Sequence, residues 1–76
     1  MSIKKEFFLQ GLDCEYCAGI ITERTKNLEG VNSAEMNFLE KILCIEISDE
    51  VRTNDIIAEV KEIVKEKEPH VVVIEK

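Results

Sequence analysis

Two cysteines three positions apart, Cys14 and Cys17, stand in the run Gln10-Gly11-Leu12-Asp13-Cys14-Glu15-Tyr16-Cys17-Ala18, where an extended apolar stretch gives way to a helical pattern. Thiols at this spacing at a helix start can converge on one ion, and the unpaired backbone N–H groups there favour the thiolate that binds it. Metal binding and thiol–disulfide exchange are therefore the two chemistries to weigh. Soft thiolates suit Cu(I), Zn(II), Cd(II) and Pb(II), but two of them leave the shell of a divalent ion incomplete, since such ions usually take four ligands. No second Cys-x-x-Cys or His pair is available to close a structural zinc site. An open shell instead allows an ion to be passed on.

The elements that must hold this loop follow from hydrophobic period. Ile3–Leu9 alternates as a strand with Ile3, Phe7 and Leu9 on one face, and Gly11 releases the chain into the cysteine loop. Cys17, Ile21, Thr25 and Leu28 recur at helical spacing over about Glu15–Leu28, with Gly30 where a left-handed cap would sit. Val31–Phe38 alternates again, a turn at Glu40-Lys41 follows, and Ile42–Ile47 directs Leu43, Ile45 and Ile47 inward. Thr53 is expected to cap a second helix, with Asp55 at its positive end and Ile56, Val60, Ile63 and Val64 as its apolar stripe before Pro69. His70–Ile74 completes the order strand, helix, strand, strand, helix, strand. This is an α+β, ferredoxin-like βαββαβ sandwich, a four-stranded antiparallel sheet with both helices on one face. Phe8, Cys44 and two of Val71, Val72 and Val73 are expected to put apolar surface on the uncovered face.

In that topology the turn before the last strand lies near the loop after the first, so Glu68 and His70 are candidate further ligands, although a lone His at a strand start commonly faces solvent. Cys44 falls too far along its strand to meet the other two cysteines. With three cysteines a disulfide framework is not expected, and a reducing compartment points the Cys-x-x-Cys pair to metal or redox work.

At 76 residues the chain, residues 1–76, is one domain whose core of Ile, Leu and Val carries a stability of about 3–5 kcal/mol. The net charge of −6 argues against nucleic acid. Neither a signal peptide nor a stretch long enough to span a bilayer is present, so a soluble, cytosolic chain without direct membrane contact is expected.

Gly11-Leu12-Asp13-Cys14-x-x-Cys17-Ala18 at the first strand–helix junction, with Gly30-Val31, Ala34-Glu35-Met36-Asn37-Phe38 and Lys41-Ile42-Leu43 further on, resembles the heavy-metal-associated domain of soft-metal P-type ATPases and metallochaperones. The resemblance covers nearly the whole chain. Copper-handling members typically have Met at the Leu12 position and Thr or Ser at the Asp13 position. Gly-Leu-Asp-Cys is instead similar to the N-terminal domain of zinc-, cadmium- and lead-exporting ATPases, and Glu68-Pro69-His70-Val71 is similar to the cadmium-type branch. The resemblance implies that Asp13 adds a carboxylate ligand, which suits divalent ions and disfavours Cu(I). Asp13 would equally serve as a helix N-cap. Glu15, between the cysteines, is either an alternative ligand or a carboxylate placed favourably in the first turn of a helix.

The expected function is a non-enzymatic module for Zn(II), Cd(II) or Pb(II), partnered by the metal ion and by other domains of an ATPase. A free-standing metallochaperone, with copper as its cargo, is the close alternative. A thiol–disulfide oxidoreductase is the more distant one, lacking here the usual aromatic-Cys and Gly-Pro or Pro-His insertions and a cis-Pro loop.

Overall fold

The computed structural model describes residues 2–76 and contains strand β1 (Ile3–Gln10), helix α1 (Glu15–Lys26), strands β2 (Val31–Asn37) and β3 (Ile42–Ile47), helix α2 (Thr53–Lys67) and strand β4 (Val72–Glu75). The strands form one antiparallel sheet in the order β2-β3-β1-β4. This is the expected ferredoxin-like sandwich. Alternation decides its faces: Phe7, Leu9, Ala34, Leu43, Ile45 and Ile47 are buried in one cluster with the helix residues Ala18, Ile21, Ile56, Val60, Ile63 and Val64. Each of these side chains contributes about 1.5–3 kcal/mol when removed from water, apart from the smaller alanines. A fork of two hydrogen bonds from Arg24 to Glu66, at 3.0 and 3.4 Å, ties α1 to α2 on the outer surface.

Several boundaries differ from expectation for local reasons. Helix α1 stops at Lys26 rather than Leu28, because Asn27 leaves helical geometry and Leu28 N–H turns back to the Thr25 carbonyl. Gly30 does adopt a left-handed φ of +94°. It sits beyond the cap itself, where the chain enters β2. Strand β2 ends at Asn37, whose side chain accepts a hydrogen bond from Glu40 N–H and so starts the turn one residue early.

Thr53 is the first residue of α2 and not its cap. A short 3-10 turn, Glu50–Arg52, precedes it, capped by the Asp49 carboxylate on Val51 N–H, while the Thr53 hydroxyl donates to the Glu50 carbonyl. Strand β4 begins at Val72, not His70, because Glu68 to Val71 form a turn closed by Val71 N–H on the Glu68 carbonyl. That shift changes which valines face outward. Val71 is buried in the core and Val73 packs against it, so of the three only Val72 joins the uncovered face, where Ile74, Phe8, Ile42 and Cys44 accompany it. Among the described residues no helix is long and apolar enough to cross a membrane.

Candidate metal centre

The donor loop is fixed to the core at its middle. Gly11 takes a φ of +92°, a conformation that a side chain would strain, and this drives Leu12 inward until it is 1% exposed. Leu12 N–H also bonds the Leu9 carbonyl. Pinned in this way, the loop presents Asp13 to solvent and delivers Cys14, not Asp13, to the start of α1. The Cys14 sulphur is the cap: it accepts a hydrogen bond from Cys17 N–H at 3.2 Å. Asp13 is therefore free of capping duty.

The other half of the site comes from the end of α2. Pro69 cannot continue the helix, and Glu68 is held on both sides, its N–H on the Val64 carbonyl and its carbonyl on Val71 N–H. This carboxylate-bearing residue is only 8% exposed. Among the described residues its one ionic neighbour is His70, whose Nδ1 lies 3.6 Å from Glu68 Oε2.

The donors form two overlapping groups, each with ligating atoms mutually within 4.8 Å: Cys14, Cys17 and Glu68, and Asp13, Glu68 and His70. Glu68 belongs to both. His70 Nε2 bonds the Gly11 carbonyl at 3.1 Å and lies 3.6 Å from Asp13 Oδ1. Glu15 is exposed in the first turn of α1 and belongs to neither group, and Tyr16 is exposed beside it. Cys44 lies on the uncovered sheet face, opposite Glu6 on one side and Glu35 on the other. A shallow groove of about 740 Å³ near the β2–β3 turn, lined in part by Glu6, Glu35, Phe38, Ile42 and Cys44, holds none of the grouped donors.

All three cysteines are free. The Cys17 thiol is pushed up to about 12, first by its hydrogen bond to the Cys14 side chain, then by desolvation, then by its hydrogen bond to Glu68. The expectation that the helix start favours both thiolates thus fails for Cys17. The backbone donor is aimed at Cys14, whereas Cys17 meets a sulphur and a carboxylate, both of which prefer it protonated. A cation among these three groups would reverse that preference.

The heavy-metal-associated domain family matches residues 6–66. The chain is 34% identical over 74 residues to the cadmium, zinc and cobalt-transporting ATPase of Bacillus subtilis (strain 168), covering 97% of this chain but only 10% of that protein. Among solved structures, the N-terminal domain of a potential copper-translocating P-type ATPase from Bacillus subtilis is similar at 25% identity and a TM-score of 0.73, covering all of this chain and 92% of that one. The N-terminal domain of ZntA is similar in fold, with a TM-score of 0.75 at 18% identity over all of this chain and 94% of that one.

Proposed function

This chain belongs to the heavy-metal-associated domain family, and from that premise we propose that it is a carrier module for soft divalent ions, Zn(II), Cd(II) or Pb(II), acting as a cytosolic N-terminal domain of a metal-exporting P-type ATPase. The convergence of Cys14, Cys17 and Glu68 donor atoms within 4.8 Å carries the reading. Two thiolates and a carboxylate supply three negative charges and mixed soft and hard donors, a set that favours a divalent ion over Cu(I), for which two thiolates suffice. Asp13, exposed and uncapped on the same loop, supplies a further carboxylate beside them. The similarity to a cadmium, zinc and cobalt-transporting ATPase supports the same class of cargo.

No bond-making step is needed for this role. The ion arrives and leaves by exchanging one ligand at a time, and Cys14 and Cys17, both only partly buried, are within reach of a partner's donors.

Titration of the reduced protein with Cd(II), followed by the ultraviolet thiolate-to-metal band, tests the proposal. One equivalent should saturate the band, and Cys14→Ser/Cys17→Ser should abolish it. Cu(I) binding tighter than Cd(II) by the same margin as in a copper-carrying relative would reject the divalent assignment. An Asp13→Ala variant should weaken Zn(II) and Cd(II) more than Cu(I).

A further inference from the structure

We propose that Asp13, Glu68 and His70 form a second, oxygen- and nitrogen-donor site for borderline divalent ions such as Co(II) and Zn(II), and that Glu68, shared with the thiolates, passes the ion from one set to the other. The inference deepens the carrier reading and rests on it.

The His70 ring is oriented for ligation. A backbone carbonyl can only accept, so the 3.1 Å contact with Gly11 requires the proton on Nε2. In the neutral ring Nδ1 then carries the lone pair, and Nδ1 is the nitrogen that faces Glu68 at 3.6 Å. An imidazole whose far N–H is anchored on a carbonyl while its near nitrogen faces a carboxylate has the usual arrangement of a metal-binding histidine. With the ring in that neutral form and the carboxylate ionised, the two facing atoms are both electron-rich. A cation between them relieves this, while Asp13 stands by the other ring nitrogen, its Oδ1 3.6 Å from Nε2, and completes the group of three residues whose donor atoms lie within 4.8 Å of one another.

The two sets differ in exposure as well as in softness. Asp13 and His70 side chains are 79% and 53% exposed, whereas that of Glu68 is 11% exposed and the cysteines are half-buried. An arriving ion meets the outer set first. Hard and borderline donors exchange readily, so the outer set captures, and the thiolates then draw a soft ion inward while Glu68 stays bound. Cd(II) and Pb(II) complete the transfer. Co(II), which is less soft, divides between the sets. Because both sets need Glu68, one chain holds one tightly bound ion.

Co(II) absorption spectroscopy and competition against a chromophoric chelator read this directly. Wild type should bind one Co(II) with a thiolate-to-Co(II) charge-transfer band. Cys14→Ser/Cys17→Ser should lose that band yet retain one Co(II) seen by its weak visible bands, and adding His70→Ala should lower the remaining affinity at least tenfold. Equal Co(II) affinity in the double variant and in the variant with His70→Ala added would overturn the second site. Two tight Co(II) ions per wild-type chain would overturn the sharing of Glu68. In the otherwise wild-type chain, His70→Ala should also lower affinity for Co(II) more than for Cd(II), and equal losses would count against the site even if the serine variants did not fold. A wild type without any thiolate band, with Co(II) retained in the serine variant, would instead refute the carrier reading while leaving the oxygen and nitrogen site standing.

Discussion

The Cys14 sulphur accepts a hydrogen bond from the backbone N–H of Cys17 at 3.2 Å, so one of the two proposed thiol ligands also caps helix α1. Capping and ligation can therefore be separated by substitution. Cys14→Ser keeps an acceptor at the cap and should leave metal-free stability intact while removing the Cd(II) band. Cys14→Ala loses both, and should be less stable than the serine variant by about 1 kcal/mol in urea unfolding.

Glu68→Gln tests the buried carboxylate. Its neighbours within the site are two thiols, an imidazole and the Asp13 carboxylate, with no lysine or arginine among its ionic partners in the described residues. Loss of its charge should lower Cd(II) and Zn(II) affinity at least about tenfold, or about 1.4 kcal/mol, with the metal-free variant no less stable than the parent at neutral pH. Glu15→Gln, outside both donor groups, should leave affinity unchanged. Chelator competition checks both.

A thiol held near 12 is protonated at neutral pH, so Cys17 must release a proton for every ion it binds. Calorimetric titrations in buffers of different ionisation enthalpy should count at least one proton released per Cd(II). The same shift fixes the sign of a stability effect. Cys17 favours folding below the ordinary thiol value of 9.0, and that contribution is lost as the pH rises from 9.0 towards 12. Metal-free wild type should weaken over this interval, as read by urea unfolding, and Cys17→Ser should weaken less.

Two glycines should respond oppositely to alanine. Gly30 has a φ of +94°, and a Cβ there would meet Ile56 Cδ1 at 3.0 Å. Gly30→Ala should cost about 1–2 kcal/mol from the backbone alone. Gly19 lies within α1 with open space around its would-be Cβ. Gly19→Ala should add about 0.5–1 kcal/mol. Thermal melts of the two variants should move in opposite directions.

Alternating apolar residues made the strands and their inward faces legible: Phe7 and Leu9 in β1, and Leu43, Ile45 and Ile47 in β3, lie where period two puts them. The stripe Ile56, Val60, Ile63 and Val64 was equally readable. Caps were not, because neighbouring residues offered rival acceptors and only tertiary placement chose between them. Leu12 sinking into the core hands the cap to Cys14 over Asp13, and α2 starts behind a 3-10 turn that Asp49 caps, with no side-chain cap of its own where Thr53 was expected. Glu68 was visible only as a ligand type in a turn near the loop. Its burial against the thiols depends on Pro69 ending α2 and on the two backbone bonds that hold the turn, none of which a periodic pattern encodes.

Leu12 is a core side chain in the middle of the ligand loop, so the domain cannot open locally at the site without also loosening its interior. An ion held at a hundredfold excess over its dissociation constant adds about 2.7 kcal/mol to folding, comparable with the whole stability expected of a chain this small. Occupied and empty domains should therefore differ sharply in lifetime against proteases. Incubation with a protease, with and without one equivalent of Cd(II), checks this difference directly.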